Sequence, residues 1–402
     1  MRMELLAPAG NMEKLRYAVW YGADAVYAAY RSFGLRAASE NFDEAELAEA
    51  IAFCHENHVK LYVTVNIYPT QQDLRELPGF FTMLAGLRPD GVIIADLGVM
   101  ALAKRYAPEI PIHISTQANV TNAETALVYG ELGAKRIVLA REMPLEDIKE
   151  LRQRLPEEVE LEAFAHGAMC IAYSGRCLLS AAMTGRSGNQ GACAQPWRWN
   201  YALMEEKRPG SYYPIEEDER GTYLFNSKDL CLIEHLKALQ DAGIASLKIE
   251  GRMKSFYYVA CVTRAYRRAL DDLANGKPFD PSLLEELRAV SHRDYCTGFL
   301  LGDPGMGGQN LDDGGYIRHT DVVAIADAEP GWVIQKNKFI KGERLWVLAP
   351  HQEPYAIVPE TMENESGEPI ESAPHAEMRV WIGIDLPPHA ILRREKKEQL
   401  KL

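Results

Sequence analysis

Glu162-Ala-Phe-Ala-His-Gly-Ala-Met-Cys-Ile-Ala-Tyr-Ser-Gly-Arg-Cys177, followed sixteen residues later by Cys193-Ala-Gln-Pro196, is the stretch from which the rest of the chain is read. Leu161, Ala163, Phe164 and Ala165 make an apolar run that reads as a buried strand ending in His166-Gly167. Cys170, Cys177 and Cys193 then follow in a segment rich in Gly and Ser, which reads as a long loop. A long loop inside a compact domain is usually functional or disordered.

Outward from that strand, an apolar run followed by an amphipathic helical run recurs along the first two thirds of the chain. Strands are expected at Glu4 to Ala7, Ala25 to Ala29, Lys60 to Asn66, Gly91 to Ala95, Ile112 to Thr116, Arg136 to Ala140, Glu160 to His166 and Ser246 to Gly251. Helices are expected near Met12 to Tyr21, Asp43 to Asn57, Gln71 to Leu87, Leu97 to Tyr106, Asn122 to Leu132, Pro144 to Leu155, Ser227 to Ala242 and Lys254 to Asn275. Asp43, Asn122 and Asn226-Ser227 offer N-cap oxygens, and Gly22, Gly133 and Gly243 stand where helices end. Such βα units argue for an α/β fold, a closed (β/α)8 TIM-like barrel. An open doubly wound sheet is the alternative, but Ala7-Pro8-Ala9-Gly10 lacks the Gly-x-Gly-x-x-Gly turn.

The barrel is expected over residues 1–276 with the Cys-rich insertion at 167–225, and a helical segment and linker over 277–315. Short β-like runs at Val322 to Ala326, Trp332 to Lys336, Arg344 to Leu348, Tyr355 to Val358 and Met378 to Ile382 predict a small β-barrel over 316–392. Residues 393–402 read as a solvated basic tail.

With 47% hydrophobic and 25% charged residues, the 402-residue chain has the composition of a globular protein with a large core. Neither a signal peptide nor a membrane span is legible, so a cytoplasmic protein is expected. Seven cysteines in such a chain suggest metal binding or burial rather than disulfides. The net charge of -13 excludes attraction of nucleic acid by the overall field, leaving only a local basic groove.

In a barrel the site lies at the C-terminal ends of the strands. The polar residues there are Asn66, Asp96, Gln117, Asn119, Arg141, Glu142, His166, Glu250 and Arg252. His166 and Glu250 are candidates for proton transfer. Arg252, Arg141 and Arg36 are candidates for pairing with an anionic substrate. Each has a blander reading, as a structural histidine or a salt-bridged rim. Cys170, Cys177, Cys193 and Cys231 can supply four soft ligands, suited to an iron–sulfur cluster or tetrahedral zinc. Their spacing matches neither a zinc ribbon nor a ferredoxin run. Cys54, Cys261 and Cys296 read as buried small hydrophobes. Arg252, Lys254, Arg264, Arg267 and Arg268, interleaved with Tyr257, Tyr258 and Tyr266, form the most basic stretch, a candidate RNA contact or a solvated helix face. Lys336, Lys338 and Lys341 are a second basic candidate. The loop aromatics Tyr173, Trp197 and Trp199 could stack a splayed base or pack the insertion.

Glu162 to Ser180 resembles the signature of the collagenase-like peptidase U32 family, as do Leu5-Leu-Ala-Pro-Ala-Gly10, Tyr21-Gly-Ala-Asp-Ala-Val-Tyr27, Phe33-Gly-Leu-Arg-Ala37, Asn226-Ser-Lys-Asp-Leu230, Leu247-Lys-Ile-Glu-Gly-Arg252 and His292-Arg293 with Thr297-Gly-Phe299. The resemblance implies an oxygen-independent, prephenate-dependent hydroxylation of the wobble uridine of tRNA. It also implies a 4Fe–4S cluster, with Cys170, Cys177 and Cys193 at ligand positions. Many members carry a further Cys where this chain has Trp197, and Cys231 stands where other members place the fourth ligand. The other activities the resemblance admits are peptidase, and a cluster-bearing part in ribosomal RNA cytidine or ubiquinone hydroxylation.

Overall fold

The computed structural model describes residues 2–34, 40–170, 179–184, 186, 193–196, 203–204, 212–213, 217–218, 221–222, 226–304, 308–310 and 316–396. Eight parallel strands close into a barrel: β1 (Glu4–Pro8), β2 (Ala25–Ala29), β3 (Lys60–Val65), β4 (Gly91–Ile94), β5 (Ile112–Ile114), β6 (Arg136–Val138), β7 (Glu160–Ala168) and β8 (Ile244–Ile249). Each pairs with the next, and β8 closes the ring by pairing with both β7 and β1. Around them lie α1 (Met12–Trp20), α2 (Glu44–Glu56), α3 (Asp73–Leu87), α4 (Leu97–Tyr106), α5 (Ala123–Glu131), α6 (Leu145–Arg154), α7 (Leu236–Asp241) and α8 (Phe256–Ala274).

Local chemistry accounts for these boundaries. Asn11, Asp43, Asp96, Asn122 and Ser255 each accept a backbone N–H of the first turn of their helices, and Asp43 with Glu46 forms a reciprocal capping box. Strand alternation separates two cores. Leu5, Val26, Leu61, Val63 and Val92 face the helices in the main core, whereas Leu6, Ala25, Tyr27, Tyr62 and Ile93 form a small apolar cluster among themselves. A buried ionic network accompanies it: Arg136 pairs with Glu4 at 2.5 Å, Glu160 at 2.6 Å and Glu162 at 3.1 Å, and Lys248 pairs with Glu162 at 3.1 Å. Tyr62 and Ser246 donate hydroxyls to Glu4, so these buried charges are compensated rather than isolated.

The region following the insertion departs from the helix expected over Ser227 to Ala242. Asp229–Cys231 is instead a strand, paired antiparallel with the end of β7 in the register Asp229 to Ala168 and Cys231 to His166. β7 outruns its barrel partners and presents a free edge, which this return strand satisfies; the helix begins only beyond Leu232, whose N–H goes to the Ala165 carbonyl. Tyr295–Cys296 adds in parallel on the other side. Of the helix expected over Lys277 to Ser291, only Ser282–Arg288 is α-helical.

The C-terminal domain is antiparallel. Six strands lie in the order Tyr355–Ile357, Leu345–Leu348, Ile391–Glu395, Thr320–Ala326, Trp332–Gln335 and Arg379–Trp381, and Phe339–Ile340 pairs with Ser372–Ala373 over the same core. The expected basic tail is thus corrected: Arg393 and Arg394 lie in a central strand, drawn in because Ile391 and Leu392 are core residues and because Arg393 donates to the Tyr257 hydroxyl at 2.9 Å. Among the described residues no helix is long and apolar enough to cross a membrane.

Candidate functional site

The turn after β8 carries the clearest site residue. Arg252 is 4% exposed, and its guanidinium reaches across to β3, where Nη1 lies 3.5 Å from Thr64 Oγ1. Its carbonyl faces Gly10, where an added Cβ would stand 2.4 Å from that oxygen, so only glycine lets the β1–α1 turn close over it. Glu250 is half-buried on the same turn, and its carbonyl accepts the Tyr258 hydroxyl at 2.9 Å.

Arg141, after β6, donates to the Ala168 carbonyl at 2.8 Å and lies 4.9 Å above the Phe164 ring. The Lys248 ammonium stands 5.6 Å from that same ring and 4.5 Å from Tyr27, whose hydroxyl reaches the Ile249 carbonyl. Both cations lie against aromatic faces, Lys248 with its charge compensated by Glu162 at 3.1 Å. Glu142, beside Arg141, has its carboxyl raised by burial, with Arg141 pulling the other way. Glu142 is among the strand-end residues read from sequence, whereas Lys248, Thr64 and Tyr27 were not singled out. A lysine at an inward position of Ser246-Leu-Lys-Ile249 is the signal that marks Lys248.

His166 lies elsewhere. A register irregularity between β7 and β8 falls at Phe164 and His166 and breaks the alternation. The imidazole is 1% exposed and packs against Tyr258 and Tyr266 of α8 and against Tyr295, with Nδ1 3.5 Å from the Tyr266 hydroxyl. Burial, then Lys254 and His292, push it down to about 3, so it is neutral at physiological pH. The geometry is that of a packed histidine beneath the helix layer rather than of a base in the mouth.

Cys170 and Cys193 are half-buried free thiols, and the Gln195 N–H donates to Cys193 Sγ at 3.4 Å. Soft sulfur donors of this kind suit an iron–sulfur group. Cys231, on the return strand, lies 4.0 Å from the Tyr266 hydroxyl, and burial pushes its thiol up to about 11 in the absence of a cation. Cys177 and Arg36 lie outside the described residues, as do Tyr173, Trp197 and Trp199. Cys54 and Cys261 are fully buried, whereas Cys296 is half-buried at the edge of the return strand.

The basic helix is not a nucleic-acid face. Arg264 is buried against Glu286, Arg267 pairs with Asp24 and Asp271, and Arg268 reaches Asp280, while Tyr257, Tyr258 and Tyr266 are all buried. The amphipathic pattern that brings α8 onto the barrel takes these groups inside. Lys336 and Lys341 are likewise engaged, with Glu377 and Glu371.

The chain is similar in sequence to known proteins. The model of peptidase family U32 matches residues 10–310, and that of the family U32 C-terminal domain matches residues 319–393. The chain is 38% identical to the tRNA hydroxylation protein P of Escherichia coli (strain K12), covering 95% of this chain and 93% of that protein. A 23S rRNA 5-hydroxycytidine synthase of the same organism is 37% identical over 67% of this chain and 39% of its own length. A collagenase of Porphyromonas gingivalis is 33% identical, covering 74% of this chain and 73% of that protein. With both domains matched and one relative alike over nearly its whole length, the chain belongs to peptidase family U32.

Proposed function

We propose that this chain is a tRNA-modifying enzyme that hydroxylates the wobble uridine to 5-hydroxyuridine without molecular oxygen, with prephenate as co-substrate and an iron–sulfur cluster as cofactor. The observation that carries this reading is the likeness, across both domains, to a protein named for tRNA hydroxylation. The cationic mouth supports it: prephenate bears two carboxylates, with which Arg252, beside Thr64, and Arg141, over Phe164, would pair. Arg36 is a third candidate for the same task.

Cys170, Cys177 and Cys193, completed by Cys231, would hold a 4Fe–4S cluster, which when bound supplies one-electron redox chemistry. The chain's own residues do the rest. Phe164 and Tyr27 exclude water from the mouth, the guanidinium groups orient the carboxylates, and the Glu142 carboxyl, pushed up by burial against the pull of Arg141, is the first candidate for giving or taking a proton. Glu250, on the turn that carries Arg252, is the second candidate for that step. His166 has a packing role against Tyr258, Tyr266 and Tyr295.

Anaerobic purification with iron and sulfide analysis tests the cofactor. About four of each per chain, reduced in Cys231→Ser, is expected; zinc without sulfide contradicts the cluster. Arg252→Lys is expected to raise the KM for prephenate by roughly ten-fold or more, because an ammonium cannot make the bidentate contact. An unchanged KM would remove Arg252 from the binding site.

A further inference from the structure

Between the barrel and the C-terminal domain opens a cleft of about 360 Å³ lined by Ser291, Tyr316, Arg318 and Lys396. Beside it, in contact with the lining residues Ser291 and Tyr316, stands Lys254, two residues after Arg252 on the turn that follows β8. The Lys254 ammonium donates to the Ser291 carbonyl at 3.2 Å and stands 4.2 Å from the Tyr316 ring centroid. Behind Tyr316, the buried Arg293 donates to its hydroxyl at 3.1 Å and lies 4.9 Å from the same ring. On the other wall, Arg318 and Lys396 share one carboxylate, Asp321, at 3.6 and 3.5 Å. Two cations, Arg318 and Lys396, thus line the cleft with Lys254 beside it, in a chain whose net charge is -13.

We propose that this cleft holds backbone phosphates of the RNA whose target base enters the barrel mouth, an inference that rests on the RNA reading above. A polyanion is repelled by this chain as a whole, so it needs a local cationic track, and phosphate contacts are what set the register of a nucleic acid on a protein. The cleft supplies that track next to the turn bearing Arg252. Tyr316, partly exposed, holds Lys254 and Arg293 against its ring and so fixes the Lys254 ammonium beside the cleft. Arg264, Arg267 and Arg268 of the basic stretch are consumed by internal ion pairs; the RNA-facing charge comes from Lys254 of that same stretch together with Arg318 and Lys396, which are far apart in the sequence and meet at this cleft.

The test is binding of an in-vitro-transcribed tRNA to the full chain, purified anaerobically, over a series of salt concentrations. The double substitution Arg318→Gln with Lys396→Gln is expected to weaken binding about ten-fold and to lower the slope of log K against log salt by roughly 1.5 to 2, two phosphate contacts being lost. Asp321→Asn, which removes the competing carboxylate, is expected to tighten binding by about three-fold, a gain that misfolding cannot produce. Lys135→Glu, at the opposite end of the barrel, is expected to leave binding unchanged. If the wild-type chain binds tRNA and both cleft variants bind with the same affinity and salt slope, the cleft is overturned and the RNA reading stands. If the wild-type chain does not bind tRNA at all, both are overturned.

Discussion

At the scale of single residues, His166 shows how a side chain prominent in the sequence is put to another use. Its folded-state value, about 3, lies below that of an unfolded histidine, near 6.5. The unfolded chain therefore binds the extra proton throughout that interval, and stability contributed by the neutral imidazole is complete above pH 6.5 and lost as pH falls toward 3. His166→Gln should flatten the pH dependence of the unfolding free energy between those limits by up to about 1.4 kcal/mol per pH unit. Chemical denaturation at several pH values measures it, and an unchanged slope would mean that the imidazole is solvated. The candidate site was only partly legible at this scale. Arg252 and Arg141 follow from their place at strand ends, whereas the outward turn of His166 depends on a register irregularity for which no residue type is diagnostic. Lys248 was hidden because a charge inside an apolar strand reads as noise until the inward face of the barrel is known.

At the scale of elements, β7 and its return strand make the joint on which the cysteine insertion is mounted. Gly167 has φ of 112°, and a Cβ there would lie 2.5 Å from the Glu250 carbonyl. Gly167→Ala is accordingly expected to cost about 1–3 kcal/mol from backbone strain alone, with a further loss as the Arg252 turn is pushed away. A thermal melt together with prephenate binding checks this, and a variant as stable as wild type would show that the turn yields freely. The seven barrel strands before the return strand and the helices between them are readable because period and capping agree. The return strand is not: Asn226-Ser227-Lys228-Asp229 has every local mark of a helix start, and what overrides it is the unpaired edge of β7, a partner sixty residues earlier in the chain.

For the whole molecule, the two domains are joined by specific polar contacts rather than by a linker alone. The Tyr21 hydroxyl donates toward the carbonyls of Leu348 at 2.9 Å and His389 at 3.0 Å, Trp20 stacks on His389 at 3.5 Å, and Val322, Leu348 and Ile391 belong to the barrel's own core cluster. Tyr21→Phe leaves two carbonyls without that donor and is expected to cost about 1–3 kcal/mol. Calorimetry should show both domains still melting together at a lower temperature; two separated transitions in the wild type would contradict this coupling. The junction also explains why Arg393 and Arg394 were misread from sequence. Basic residues near a terminus look solvated until the strand they occupy has a sheet to enter. The measurement that bears most directly on the account is anaerobic incubation of the purified chain with unmodified tRNA, with and without prephenate, followed by mass spectrometry of the nucleosides. A uridine one oxygen atom heavier, at the wobble position and only when prephenate is present, is the predicted result. Unmodified tRNA from a chain that carries its full complement of iron and sulfide, together with cleavage of a collagen substrate by the same preparation, would contradict it.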